Sequence, residues 1–242
     1  MRTVRVPVTG LEDGERVLPG ETSRYVCRVL RLAEGARFVA FDPDTRMEAE
    51  CELVTSSAEA ARVRVSGLRA ARVVATRGLV LVYALAKGDK VDDTVRDATE
   101  LGATRILITR AERSVVKVTG REPMKLERWR RIAEQAARQS GRGDPPVIDG
   151  VLSWSEALDA AVADVRFCLD PHARETIGPR LTAATAEDRS IAFAIGPEGG
   201  LTAEEVMLAA TKGFVAASMG PFVLRTETVA AAILGAVRVL RG

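Results

Sequence analysis

A chain of 242 residues, 47% hydrophobic and 28% charged, can bury one large core or two smaller ones. Its formal net charge of +2 is nearly neutral and says little about nucleic acid, and no apolar run nears the roughly 20 residues that span a bilayer. The first ten residues alternate Arg and Val without the apolar core of a signal peptide. Cys27, Cys51 and Cys168 are odd in number and far apart, which fits neither a disulfide framework nor a CxxC metal site. A reducing cytoplasm, no membrane and no metal are expected.

Residues 1–72 read as a β domain with one short helix. Period-two stretches at 4–8, 37–41, 47–54 and 61–68, with Asp42-Pro43-Asp44-Thr45 as a hairpin turn, predict a small barrel. The exception is a helix over 21–32, where Val26, Val29, Leu30 and Ala33 share one face.

The pattern changes near 72–78, so the second domain is set at 73–242. Residues 79–85 form an unbroken apolar strand, as a sheet covered on both faces requires. A helix follows over 89–101 with Val91, Val95 and Ala98 inward and Gly102 as its stop. Then come a strand (105–109), helices (125–140 and 153–163), strands (165–170 and 191–195), a helix (202–211), a strand (214–219) and a closing helix (226–240). Alternation of this kind predicts an α/β domain with a mainly parallel sheet.

Two glycine turns follow consecutive strands. Ile195 runs into Gly196-Pro197-Glu198-Gly199-Gly200, after which Thr202-x-x-Glu205 reads as a capping box. Glycines there let a ligand approach the backbone where open α/β sheets bind ligands, although a plain tight turn has the same spacing. The second turn, Gly220-Pro221, leads through Leu224-Arg225-Thr226-Glu227-Thr228 into the last helix. Arg225 and Glu227 at that junction are either a local pair or a substrate-facing guanidinium beside a helix N-terminus.

Together these segments resemble the RsmE family, 16S ribosomal RNA uracil-N3 methyltransferases of the SPOUT superfamily. The likeness rests on 195–202, Gly213-Phe214 and Met219-Gly220-Pro221 through Thr228. Upstream it includes 25–31, Ala98-Thr99-Glu100-Leu101-Gly102-Ala103, Glu112-Arg113-Ser114, Arg128-Trp129 and 134–142. It covers nearly the whole chain. It implies an N-terminal PUA-like β-barrel, a C-terminal α/β domain with a trefoil knot, a homodimer, and S-adenosyl-L-methionine held by three loops. Those loops fall at Leu169, Asp170 and Pro171; at Ile195, Gly196, Pro197, Gly199 and Gly200; and at Met219, Gly220, Leu224 and Thr226. The chain departs from the family at Phe222, where a basic residue is usual, at Asp170-Pro171-His172, and at Ser23-Arg24.

Methylation of uracil N3 needs an aligned methyl donor and stabilisation of the charge left as N3 loses its proton. Arg225 is the candidate for that charge, with Glu198 or Glu227 to orient it or accept a proton. His172 suits a base by type but has no partner in the sequence, and the cysteines read as inert. For 16S ribosomal RNA in the small subunit, Arg24, Arg28 and Arg31 form one stripe and Arg128, Arg131, Arg138 and Arg142 another. Such stripes are usually solvated faces, but the resemblance favours phosphate binding. Methylation of a ribose hydroxyl and a non-catalytic role in ribosome assembly are the alternatives.

Overall fold

Alternating side chains in the first seventy residues become five strands in the computed structural model, which describes residues 4–71, 77–115, 120 and 122–241. The chain separates into two units, residues 1–74 with 137–145, and 75–136 with 146–242. The boundary expected between 72 and 73 lies outside the described residues.

In the first unit β1 (Arg5–Pro7), β2 (Gly14–Val17), β3 (Arg37–Asp42), β4 (Met47–Thr55) and β5 (Arg62–Ala70) form one sheet in the order β1-β3-β4-β5-β2. Only the β1–β3 pairing is parallel. Every second residue turns inward, so Phe38, Ala40, Cys51, Leu53, Val63 and Val65 make the core. Register shifts between Glu48 and Glu50 and between Leu53 and Thr55 bend β4. The turn after β3 is set by the buried Asp42 carboxylate, which accepts from the amides of Leu11, Asp44 and Thr45. Burial pushes that carboxyl up, but the amides outweigh it and hold it below its usual range.

The helix over 21–32 is shorter and less regular than its periodicity predicts. α1 (Gly20–Arg24) runs into a π-turn at Tyr25–Val29, where the Leu30 amide donates to the Tyr25 carbonyl at 2.9 Å. This wider turn moves the following residues off the 3.6-residue face. Val26 is buried, yet Val29 is 67% exposed and Ala33 is exposed, which corrects the single apolar face. Arg31 closes the turn in the left-handed region, at φ 53°. The buried Ser23 hydroxyl donates to the Leu18 carbonyl and accepts from the Ala61 amide, tying the helix to the sheet.

The second unit holds β6 (Leu79–Ala84), β7 (Arg105–Arg110), β8 (Val147–Ser153), β9 (Val165–Leu169), β10 (Ile191–Ile195) and β11 (Val215–Ala217). They pair in the order β11-β9-β10-β6-β7-β8, all parallel. Among the described residues six helices accompany them, α2 (Lys90–Glu100), α3 (Glu122–Ser140, whose residues from 137 on belong to the first unit), α4 (Trp154–Ala160), α5 (Gly178–Ala186), α6 (Ala203–Thr211) and α7 (Thr226–Arg241). Every residue of β6 and β10 is buried because the two faces feed separate cores. Leu79, Leu81 and Tyr83 pack with Val91, Val95 and Ile233, while Val80, Val82 and Ala84 pack with Trp154, Leu158 and Ala209. β8 and α5 go beyond the sequence expectation. Asp149 and Gly150 interrupt the apolar run of β8, and α5 is a small-residue helix with no side-chain N-cap.

Phe167 and Phe193 are fully buried on neighbouring strands, with ring centroids 5.8 Å apart and planes at 16°. Phe193→Ala leaves a cavity there and is expected to cost about 3–5 kcal/mol. Urea unfolding followed by circular dichroism checks this; a loss under about 1 kcal/mol would show that the core collapses around the vacancy.

Candidate functional site

Sheet register brings three loops together. Leu169 is paired with Ile195 on one side and Ala217 on the other, so β9, β10 and β11 end at one level. The loops that leave there line a cavity of about 500 Å³. Open α/β sheets bind ligands at this carboxyl edge. Leu169, Asp170 and Pro171 line it from the first loop; Ile195, Gly196, Pro197, Glu198, Gly199 and Gly200 from the second; Met219, Leu224, Arg225 and Thr226 from the third. Gly220 lies outside the lining and supplies a φ of 116° that the third loop needs. Glu227 also lies outside the lining, behind Lys90.

The second loop is tightly folded. A Cβ on Gly196 would stand 2.7 Å from the Leu201 side chain, and one on Gly199 would stand 3.0 Å from Cβ of Arg113. The capping box forms, with the Glu205 amide donating to the Thr202 hydroxyl and the Thr202 amide to the Glu205 carboxylate. That carboxylate also accepts the Glu112 amide at 2.8 Å, and Arg113 donates to the Gly199 carbonyl at 3.0 Å. The segment after β7 is therefore knitted to the glycine loop.

Lys90, the first residue of α2, reaches Glu198 at 3.1 Å and Glu227 at 3.3 Å. Glu198 also accepts the Lys87 amide, and Glu227 accepts from the Thr226 hydroxyl, whose oxygen lies 3.0 Å from that of Tyr83. Partial burial pushes both carboxyls up, but backbone amides and Lys90 prevail and hold both below the usual range. Hydrogen bonding to Glu198 in turn raises the Lys90 ammonium. Burial raises the Tyr83 phenol, against the hydrogen bond to Thr226.

Arg225 is exposed and makes no side-chain hydrogen bond or ion pair with the described residues, while its carbonyl accepts the Val229 amide. His172 also lines the cavity, in an exposed turn whose amide donates to Asp170. Burial pushes the Cys168 thiol up to about 12 and the Cys51 thiol to about 11, so neither is a nucleophile. Phe222 (79% exposed) and Val223 (77%) stand at the cavity. Lys90 and Arg113 were missed by sequence reasoning. Arg113 lies in a recognised motif without an evident role, and the partners of Lys90 are more than a hundred residues away.

The arginine stripes are partly corrected. Arg24, Arg28 and Arg31 are exposed, but the π-turn removes their regular helical spacing. Arg138 stacks over the Tyr25 ring at 4.9 Å. Arg142 is 3% exposed and pairs with Asp144 at 3.2 Å, so burial takes it off the phosphate-facing surface. Arg128 bonds Asp92 and Arg131 bonds Glu127, so both are exposed but partly neutralised. Among the described residues no group of three or more His, Cys, Asp or Glu can hold a metal, and no helix is long and apolar enough to cross a membrane.

A family model described as an RNA methyltransferase domain matches residues 75–238. The ribosomal RNA small subunit methyltransferase E of Mycobacterium bovis is 35% identical over 231 residues, covering 93% of this chain and 86% of that relative. Its namesake in Bacillus subtilis is 33% identical over 222 residues, covering 87% and 84%. The crystal structure of a ribosomal RNA small subunit methyltransferase E from Neisseria gonorrhoeae bound to S-adenosyl methionine superposes with a TM-score of 0.88. It is 26% identical and covers 99% of this chain and 98% of its own.

Glu198 and Glu227 titrate below their ordinary 4.5 in the folded chain. As pH falls, the unfolded chain therefore takes up protons first. Their contribution to stability is present above about pH 4.5 and is lost as pH falls through the folded values. Thermal unfolding of an E198Q/E227Q double variant should show a shallower acid loss than the unchanged chain; equal slopes refute the assignment.

Proposed function

Because the chain belongs to the RNA methyltransferase domain family, among the ribosomal RNA small subunit methyltransferase E proteins, we propose that it methylates N3 of a specific uridine in 16S ribosomal RNA of the small subunit, using S-adenosyl-L-methionine. The observation that carries the reading is the cavity formed by three loops at one sheet edge, with the unpartnered Arg225 at it. Its 500 Å³ falls within the roughly 300–1,000 Å³ of small-molecule sites. Leu169, Ile195, Leu201, Met219 and Leu224 offer apolar contact for an adenine ring, and the glycine loop offers bare backbone.

S-adenosyl-L-methionine supplies an electrophilic methyl group. Leu169, Asp170 and Pro171, the loop from Ile195 to Gly200, and Met219, Leu224 and Thr226 would bind and orient it, with Gly220 shaping the third loop. As uracil N3 releases its proton to water, charge spreads to the flanking carbonyl oxygens, and Arg225 donates to one of them. Glu198 and Glu227 orient rather than accept the proton, because a carboxylate held ionised by a cation is a weak base. RNA phosphates meet Arg24, Arg28, Arg31, Arg128, Arg131 and Arg138, all with exposed or half-buried side chains.

Residues 1–72 form the PUA-like RNA-binding barrel; the bent, bulged sheet with a single apolar face supports this. Residues 73–242 form the SPOUT domain with its trefoil knot. Supporting the knot, β11 lies beyond β9 from β10, Thr176 bridges to Ser218, and α7 packs on both α2 and α5. The protein works as a cytoplasmic homodimer. Phe222, Val223 and Val239, 77–81% exposed, supply apolar surface for a second copy.

Small subunits from a strain lacking uracil-N3 methylation, incubated with protein and S-adenosyl-L-methionine, should yield 3-methyluridine by nucleoside mass spectrometry. Arg225→Ala should lower kcat about 10²–10³-fold, the usual cost of a lost charge-stabilising donor. A 2′-O-methyl nucleoside, or no product from folded protein, overturns the reading.

A further inference from the structure

We propose that Lys90 is a positioning residue for methyl transfer, its ammonium joining Glu198 and Glu227 so that the start of α7, and with it Arg225, is aimed into the cavity. This rests on the function proposed above and adds a residue to its machinery. The two carboxylates come from different loops, one after β10 and one in the first turn of α7. Both lie within 3.3 Å of one nitrogen, and all three side chains are only 25–31% exposed. A pair this sheltered is screened less than a surface pair. Without the cation, two ionised carboxylates would face each other across the gap between the loops, and repulsion would drive them apart.

The path from Lys90 to Arg225 is short. Glu227 takes the ammonium at 3.3 Å and the Thr226 hydroxyl at 3.2 Å. The Thr226 oxygen meets the Tyr83 hydroxyl at 3.0 Å, inside the buried core. Arg225 precedes Thr226 directly, and its carbonyl accepts the first bond of the helix. Its guanidinium touches no partner among the described residues, so what the fold fixes is the backbone from which this cavity-lining side chain starts. That backbone is held from the core by Tyr83 and from the rim by Lys90. The core tie is neutral and buried, whereas the rim tie is ionic and partly exposed.

The test compares Lys90→Met, which keeps an unbranched apolar stem and removes the charge, with Lys90→Arg, which keeps the charge. For each we would measure the S-adenosyl-L-methionine Kd by calorimetry, kcat and KM on small subunits, and the crystal structure. Lys90→Met should lower kcat about tenfold or more, since a displacement near 1 Å can cost about a hundredfold. It should leave KM for small subunits within about threefold and raise the S-adenosyl-L-methionine Kd as Leu224 and Thr226 shift with the segment, and Lys90→Arg should recover most of both losses. In an Arg225→Ala background Lys90→Met should have no further effect on kcat, because nothing is left to aim. Unchanged kcat in Lys90→Met, an equal loss in Lys90→Arg, or additive losses in the double variant would overturn the proposal. The crystal structure decides independently of activity: residues 224–227 should move in Lys90→Met, and an unmoved segment overturns the role of Lys90. If the unchanged chain makes no 3-methyluridine, the functional reading fails, yet that crystallographic arm still decides the placement of Arg225.

Discussion

Registry between three parallel strands is the constraint on which the site depends. Leu169 sits opposite both Ile195 and Ala217, so three chain segments leave the sheet side by side. A slip of one residue in β10 would exchange the faces of Phe193 and Ala194, putting a stacked ring where only a methyl group fits. Core packing therefore fixes loop position, and loop position fixes what can meet a ligand. Polar chemistry is confined to the loops because the strands beneath are buried on both faces.

Side chains from distant parts of the second unit then stiffen those loops. Glu205 joins the N-terminus of α6 to the segment after β7, and its carbonyl takes the Trp154 indole at 3.1 Å. Arg113 holds Gly199 from the same side. Lys90 and Tyr83 hold the third loop from another. A loop that arrives already braced loses little entropy when a ligand settles in it, which favours orientation over induced closure.

Local rules made part of this legible in the sequence. The unbroken apolar runs of β6 and β10, the inward face of α2 and the Thr202–Glu205 cap all follow from period, burial and short-range hydrogen bonding. What stayed hidden depends on distance or on local exceptions. β8 tolerates Asp149 because Arg105, 44 residues earlier, neutralises it. Val29 leaves its expected face because one turn bonds i to i+5. Arg142 reads as surface charge until Asp144 is seen beside it in the interior. The glycines that mark the cavity announced themselves, but Lys90 and Arg113 did not, since nothing in the neighbouring residues hints at their partners.

The chain contains only two tyrosines, and they fall one to each unit. Tyr25 lies under the Arg138 guanidinium in the first unit, and Tyr83 has its hydroxyl against Thr226 beneath the cavity of the second. Fluorine carried on both rings would give two magnetic resonance signals that need no further labelling to tell apart, since cavity-lining and hydroxyl substitutions at Thr226 move only one. The buried phenol thus doubles as a native gauge of events at the cavity, and the stacked ring as a separate gauge on the arginine-bearing unit.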